Sequence, residues 1–175
     1  MQGTTRLVIV WCVSLAVLAW AIAAIACEKR IFLVSCVSVQ QSRAMPAREL
    51  YHSAWFKKAR AFVERQGADW FILSSKHGLV APDEVIEPYD VSLNDETVRE
   101  RRQWSKKVAE QLRPQCVRGT CIIFLAGEKY RQFLVPALEK MSCKVCVPMK
   151  ALRIGEQLHW LSEQGRSSTA LCSVE

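Results

Sequence analysis

Short apolar runs alternate with longer amphipathic stretches from residue 31 onward. The runs at 31–35, 70–73 and 121–126 are almost continuously apolar, which is typical of strands buried on both faces of a parallel sheet. A fourth run, at 144–147, alternates between polar and apolar residues and predicts another strand. We therefore expect four strands, separated by segments that are long enough to form helical crossovers.

The segments between these strands carry helix signals. Ser53 is a good N-cap for a helix over 54–66, and Gly67 is a typical stop. The polar and acidic group at 94–96 predicts the start of a second helix, which runs to about Leu112. Its inner stripe is predicted to consist of Val98, Arg101, Ser105, Val108 and Leu112, with Trp104 beside it.

The last third of the chain predicts two more helices. Gly127 opens the turn into a helix over 128–141, which Pro136 must kink or divide. A final helix passes through Leu158 and Leu161. The expected fold is thus α/β, with a single open, mostly parallel four-stranded sheet flanked by helices and preceded by one N-terminal apolar helix.

The length of the chain fits one domain behind one apolar segment. We divide it into an N-terminal hydrophobic segment (1–28), one α/β domain (29–165) and a loose, Ser-rich tail (166–175).

The apolar stretch at 7–26 contains no charged side chain. At a helical rise of about 1.5 Å per residue it is as long as the hydrocarbon layer of a bilayer is thick. Arg6 alone precedes it, whereas Lys29 and Arg30 follow it, so the positive-inside rule places the domain in the cytoplasm. We expect a membrane-anchored protein with a cytoplasmic domain.

Two alternatives remain open for this segment. Ala24-Ile25-Ala26-Cys27 resembles a bacterial lipoprotein processing site, in which Cys27 would carry the lipid. In the other alternative the natural start lies near Lys29, because a strand is predicted to begin directly after it. The protein would then be cytoplasmic, without an anchor.

The eight cysteines allow two interpretations. Cys143 and Cys146 have the spacing of a metal knuckle, and Cys116 and Cys121 could complete a four-thiolate zinc site. The alternation at 143–147 instead favours a strand, and several cysteines lie in apolar runs, where a free cysteine acts as a small hydrophobe. We predict reduced cysteines and no bound metal.

The most informative segment follows the second predicted strand. Ligands of open α/β sheets bind outside the carboxyl ends of the strands, and this end carries two hydroxyls, an ammonium and an imidazole. The strand ends together supply Ser35 and Cys36, then Ser74, Ser75, Lys76, His77 and Gly78, then Tyr89 and Asp90, and finally Gly127. We expect these residues to form one pocket.

His77 and Lys76 are the candidate catalytic residues, with Asp90 as a partner that orients the imidazole. An imidazole can act as a general base near neutral pH, and an ammonium can hold a phosphate. In the alternative interpretation, Lys76 and His77 form a hydrogen-bonded turn in which Gly78 supplies a positive φ. Cys36 is a possible nucleophile, although a buried, inert thiol explains it as well.

The second predicted helix has a basic face within a chain of net charge +7. The face comprises Arg99, Arg101, Arg102, Lys106 and Lys107. Such a row could follow a nucleic-acid backbone, face anionic lipid or simply be solvated.

Several motifs carry a resemblance to known domains. They are 33–36, 47–51, 74–79, 87–90, Trp104 and 154–158. Through them, the region from 31 to 163 resembles the small bacterial and phage domains grouped as domain-of-unknown-function family 6884. The Leu-Ser, Gly-Leu and Pro-Tyr arrangement is more distantly similar to the peroxide-stress, DNA-binding family typified by YaaA.

The resemblance implies an α/β fold and a site at the strand ends, but no settled reaction. It also adds Arg48 and Tyr51 to the expected binding residues. Residues 1–28 depart from the family pattern, and the loop at 40–43 has no lysine where the family commonly has one.

Two functions are compatible with these residues. The first is a nucleotide- or nucleic-acid-related enzyme that carries out hydrolysis or transfer at a nucleotide or modified base. The alternative is a non-catalytic, membrane-anchored module that binds a nucleotide or nucleic acid. The cofactor requirement, the protein partners and the oligomeric state are left open by the sequence.

Overall fold

A central sheet organises the chain, and the computed structural model describes residues 27–163. Within that range the strands are β1 (Lys29–Ser35), β2 (Met45–Pro46), β3 (Asp69–Ser74), β4 (Gly78–Val80), β5 (Val85–Ile86), β6 (Thr120–Leu125) and β7 (Lys144–Cys146). The helices are α1 (Ala47–Leu50), α2 (Ala54–Arg65), α3 (Val98–Leu112), α4 (Glu128–Arg131), α5 (Leu134–Glu139) and α6 (Ile154–Glu163).

The described sheet has five strands in the order β4-β3-β1-β6-β7, and β2 and β5 form a separate two-stranded ribbon. β1 pairs in parallel with β3 on one side and with β6 on the other, and β6 pairs in parallel with β7. The expected mostly parallel α/β sheet is confirmed. The strand order changes direction at β1, so a topological switch point lies between β1 and β6.

The predicted count of four strands is wrong because β4 is a fifth. β4 returns antiparallel to β3, pairing Ser74 with Gly78. Gly78 has a φ of +84°, a conformation that residues with a Cβ rarely adopt, which allows this tight return. At the outer side of β4, the Leu79 amide donates to Gln111 Oε1 over 2.9 Å. The sequence pattern of this segment predicts only a turn.

Both faces of the sheet are covered by apolar side chains. In β1, Phe32 and Val34 face the cluster that includes α2, while Ile31 and Leu33 face the cluster that includes α3. All four side chains are fully buried. A strand enclosed in this way has to be apolar at consecutive positions, which explains the continuous run at its centre.

Two helix starts test the capping predictions. Ser53 caps α2 by accepting a hydrogen bond from the Phe56 amide, as expected. α3 begins later than predicted, because Thr97 is its N-cap and forms a capping box with Glu100. A capping box satisfies two amides at once, which the polar group at 94–96 does not do.

The buried side of α3 differs from the predicted stripe. Trp104, Ser105, Val108, Ala109 and Leu112 are buried, so Trp104 is central and not flanking. Val98 was predicted to lie on that stripe but is half exposed, because it occupies the first turn of the helix.

The predicted helix over 128–141 is divided into α4 and α5. Pro136 is the third residue of α5, a position where the backbone amide has no partner within the helix. The proline therefore fits the start of a new helix and explains why the segment is not continuous.

The prediction of reduced cysteines is wrong for five of them, because Cys27, Cys116, Cys121, Cys143 and Cys146 are disulfide-bonded. Disulfides join Cys27 to Cys121 and Cys116 to Cys143, with Cα–Cα distances of 5.6 and 5.8 Å. These distances are ordinary for disulfides. Each pair is brought together by the sheet from distant positions, so its proximity is not visible in the sequence. Among the described cysteines, Cys36 is a buried free thiol.

The segment at 7–26 and the tail at 166–175 lie outside the described residues, so the predicted N-terminal apolar helix and the loose tail stay predictions. Within residues 27–163 no helix has the length and apolarity needed to cross a membrane.

We expect Thr97→Ala to lower the free energy of unfolding by about 1 kcal/mol, because α3 loses its capping box. Asn94→Ala is the matched control: Asn94 belongs to the predicted cap, but the structure gives its side chain no role in the helix start. This control should change the free energy by less than about 0.5 kcal/mol. Urea unfolding of both variants measures the difference, and equal losses would contradict the observed cap.

Candidate functional site

A cavity of about 650 Å³ opens at the carboxyl ends of β1, β3 and β6. It lies at the switch point, where the loops after β1 and β6 leave toward opposite faces of the sheet and separate from each other. Its lining consists of residues 35–38, Gln40, Ser75, 89–92, 94–95 and 127–130. A volume of this size is typical of sites for small molecules.

Cys36 lies at the centre of this edge, directly after β1. Its Sγ is 3.1 Å from the Tyr130 hydroxyl and 3.6 Å from Ser75 Oγ. Burial raises the pKa of Tyr130, and the nearby Cys36 thiol raises it further. The Tyr130 phenol therefore keeps its proton.

A second group of hydroxyls joins the first through Tyr89. The Tyr89 hydroxyl is 2.7 Å from Ser74 Oγ and 2.8 Å from the Tyr51 hydroxyl. Burial raises the pKa of Tyr89 to about 12, with a further contribution from Cys36. Burial also raises the pKa of Tyr51. Tyr51 and Ser74 thus hold Tyr89 from behind while Tyr89 itself lines the cavity.

The charged side chains of the cavity wall are mainly acidic. Asp90, Asp95 and Glu128 contribute carboxylates, and Lys129 contributes an ammonium. Lys129 Nζ donates to the Asn94 carbonyl over 2.6 Å. The cavity therefore favours a neutral or cationic polar group over a phosphate.

His77 does not line the cavity. Its ring lies edge-on against the Tyr89 ring, with the centroids 5.5 Å apart, and its backbone amide donates to Ser74 Oγ. His77 Nε2 is buried and has no hydrogen-bond partner among the described residues. The expectation that His77 forms part of the pocket is therefore not met, because its imidazole packs against the Tyr89 ring and is absent from the cavity wall.

The electrostatic surroundings keep His77 neutral near pH 7. Burial lowers its pKa, and the ammonium groups of Lys76 and Lys107 lower it further, whereas Glu84 opposes this effect. A neutral imidazole matches the apolar contact with the Tyr89 ring.

The remaining predicted site residues fall into two groups. Ser35, Cys36, Ser75, Tyr89, Asp90 and Gly127 line the cavity together. Lys76, Ser74, Gly78, Arg48 and Tyr51 do not. Of these, Tyr51 and Ser74 reach the cavity through Tyr89, and Lys76 Nζ lies 5.8 Å from the centroid of the same ring. Arg48 instead forms an ion pair with Asp83.

Sequence reasoning missed part of the lining. Tyr130 and Glu128 are missed because Gly127 is the only residue predicted to reach the site from the loop after the third predicted strand. Asp95 is missed because it was assigned to a helix cap. The available signal was the polar sequence directly after Gly127, since the loops after all parallel strands lie at the same edge of the sheet.

The described residues contain no group of three or more His, Cys, Asp or Glu side chains arranged as a metal site. The four-thiolate alternative also conflicts with the disulfides, because Cys116 and Cys121 have different partners.

Comparison with known proteins gives one match. The sequence model of a family of unknown function, DUF6884, matches residues 31–163, about three quarters of the chain. No curated protein and no solved structure matched the chain. The distant similarity to the YaaA family therefore stays a prediction.

We expect the His77 imidazole to titrate below 6.5 in the folded protein, since burial and two ammonium groups disfavour its charged form. In Lys76→Gln the midpoint should rise, because one of the two ammonium groups is removed. NMR titration of the imidazole protons measures both midpoints.

The same shift has a consequence for stability. A histidine whose pKa is lowered on folding binds a proton more readily when unfolded, so its contribution is present at pH 7.5, begins to fall near pH 6.5 and is lost as the pH falls through the lower pKa of the folded state. His77→Gln should therefore lie closer to the wild type in stability at pH 5 than at pH 7.5. A difference in stability between His77→Gln and the wild type that grows as the pH falls toward 5 would contradict the surroundings described for His77.

Proposed function

The chain belongs to the family of unknown function DUF6884, which supplies no reaction, and from its cavity we propose a nucleotide-related enzyme that carries out hydrolysis or transfer at the nucleoside part of its substrate. The supporting observation is the position and lining of the cavity. It lies at the switch point of a doubly covered sheet and combines phenols with carboxylates.

The lining suits a nucleoside. A purine or pyrimidine offers a flat apolar face, and Tyr89 and Tyr130 are the aromatic residues of the cavity lining against which such a face can stack. Carboxylates accept hydrogen bonds from ribose hydroxyls and from exocyclic amino groups. Asp90, Asp95 and Glu128 supply such carboxylates in the cavity wall. The acidic wall disfavours the phosphate, which we place outside the cavity.

Asp90 is the proposed acid/base. It is exposed at the cavity mouth and directly follows Tyr89, so it can take a proton from an attacking water or alcohol. His77 and Lys76 act as positioning residues in this proposal, because both lie against the Tyr89 ring and neither lines the cavity.

A non-catalytic binding module is the second candidate. It is favoured by the placement of His77 behind Tyr89, since none of the residues that line the cavity is a histidine. A binding module needs the cavity but not the acid/base. The two candidates therefore differ in what they require of Asp90.

We expect Asp90→Asn to reduce turnover by about 10²- to 10⁴-fold, the usual contribution of a general acid/base. Ligand binding should change far less, because the amide keeps the shape of the side chain. The assay incubates the full chain with nucleosides and nucleotides, follows the products by mass spectrometry and measures binding by calorimetry.

Glu87→Gln is the matched control, because Glu87 is exposed, close in sequence and absent from the cavity wall. It should retain full activity. Binding by the wild type without any turnover would favour the binding module, and equal turnover in Asp90→Asn and the wild type would contradict the role of Asp90.

A further inference from the structure

We infer that the substrate class is single-stranded nucleic acid, whose phosphate backbone lies on exposed cations of α3 while one nucleoside enters the cavity. This inference rests on the proposed function, which places a nucleoside in the cavity. It adds the position of the phosphate backbone to which that nucleoside is attached. The observation that carries it is the separation of charge between the acidic cavity and the basic helix beside it.

The cavity alone gives a free nucleotide little attraction. Its wall carries three carboxylates against one ammonium, and Lys129 already donates to a carbonyl. A nucleotide with its phosphates inside would meet like charge. A polymer avoids this conflict, since its phosphates can remain outside while a single unstacked base is taken in.

The cations of α3 are of two kinds: some interact with a neighbouring group of the protein, and others are exposed and form no ion pair within residues 27–163, and we call the latter the available cations. Arg101 is partly buried, and its guanidinium donates to the Glu96 carbonyl. The Arg102 guanidinium lies 4.6 Å from the centroid of the Phe133 ring. Arg99, Lys106 and Lys107 are exposed and take part in no ion pair within residues 27–163.

α3 is fixed to the wall of the cavity. Trp104 Nε1 donates to the Ser74 carbonyl over 2.8 Å, and the Trp104 ring lies edge-on to Tyr130 with the centroids 5.5 Å apart. The loop before the helix supplies Asn94 and Asp95 to the cavity. The N-terminal end of α3 therefore lies beside the cavity.

The spacing of the available cations fits an extended strand. Arg99 and Lys106 are seven residues apart on one side of the helix, which corresponds to about 10 Å along its axis. Lys107 lies on the neighbouring side, close enough to His77 to lower its pKa. Three cations distributed in this way can contact two or more phosphates of one strand.

An anionic membrane surface is the competing partner, and the composition of the helix surface disfavours it. Binding of a helix in the lipid interface requires an apolar face exposed beside the charges. The exposed large apolar side chains of residues 27–163 include Val98 on α3, whereas the others lie elsewhere in the chain.

The test is fluorescence anisotropy of a labelled single-stranded 12-mer of mixed sequence, as DNA and as RNA, titrated with the full chain from 50 to 200 mM salt. Each phosphate contact contributes about 0.7 to the slope of log affinity against log salt for single strands. We expect a slope of about −1.5 to −2 and weaker binding to the corresponding duplex, because a paired base cannot enter the cavity.

The decisive variant combines Arg99→Glu, Lys106→Glu and Lys107→Glu. It should lose at least tenfold in affinity at 50 mM salt and most of the salt slope. The matched control combines Arg43→Glu, Lys57→Glu and Lys140→Glu, three exposed cations away from α3 that change the net charge equally. Circular dichroism establishes that both variants are folded.

Equal affinities of the two variants, a slope near zero or equal binding of the duplex would overturn the inference. Binding of the wild type to phosphatidylserine vesicles but not to the 12-mer would assign the helix to a membrane surface instead. The proposed function fails separately: unchanged turnover in Asp90→Asn would remove the acid/base while leaving the salt-dependent binding in place.

Discussion

β1 is hydrogen-bonded to a parallel strand on each side, and both of its faces are buried. This position at the centre of the sheet is the constraint on which the site depends. Because β3 lies on one side and β6 on the other, the connections that leave their carboxyl ends diverge, and a gap opens beside Ser35 and Cys36. The cavity is therefore a consequence of strand order, and the loops only decide which side chains line it.

The site combines two kinds of polar surface, buried hydroxyls and exposed carboxylates, which differ in their access to water. Hydroxyls and one thiol, joined through Tyr89 and Tyr130, form the inner wall, where burial raises the pKa of the phenols and keeps them protonated. Carboxylates lie nearer the opening, where water solvates them. The basic side chains lie outside, on α3. A ligand that is polar and uncharged at one end and anionic at the other would match this gradient.

Much of the fold could be predicted because burial on both faces of the sheet requires continuous apolar runs, and because Ser53 and Gly67 are strong local signals. β4 could not, since a strand of three residues that begins with a glycine carries almost no periodicity. The strand ends alone predicted where a cavity lies, and six of the predicted residues line it, whereas its role as a functional site stays a prediction. The direction of the His77 ring could not be inferred, because it depends on Tyr89, which returns from a distant loop to cover it. The disulfides likewise depend on proximity that only the folded sheet creates.

The bond between Gln111 and β4 has a consequence beyond the site. Outer strands with free amides and carbonyls invite intermolecular pairing, which proteins commonly prevent by shortening or occupying that border. Both outer strands of this sheet, β4 and β7, have three residues. On β4, the Gln111 side chain accepts from the Leu79 amide and donates to its carbonyl, at 2.9 and 3.5 Å. A glutamine on a neighbouring helix thus takes the place that another chain's backbone would occupy, and protects the sheet against edge-to-edge aggregation.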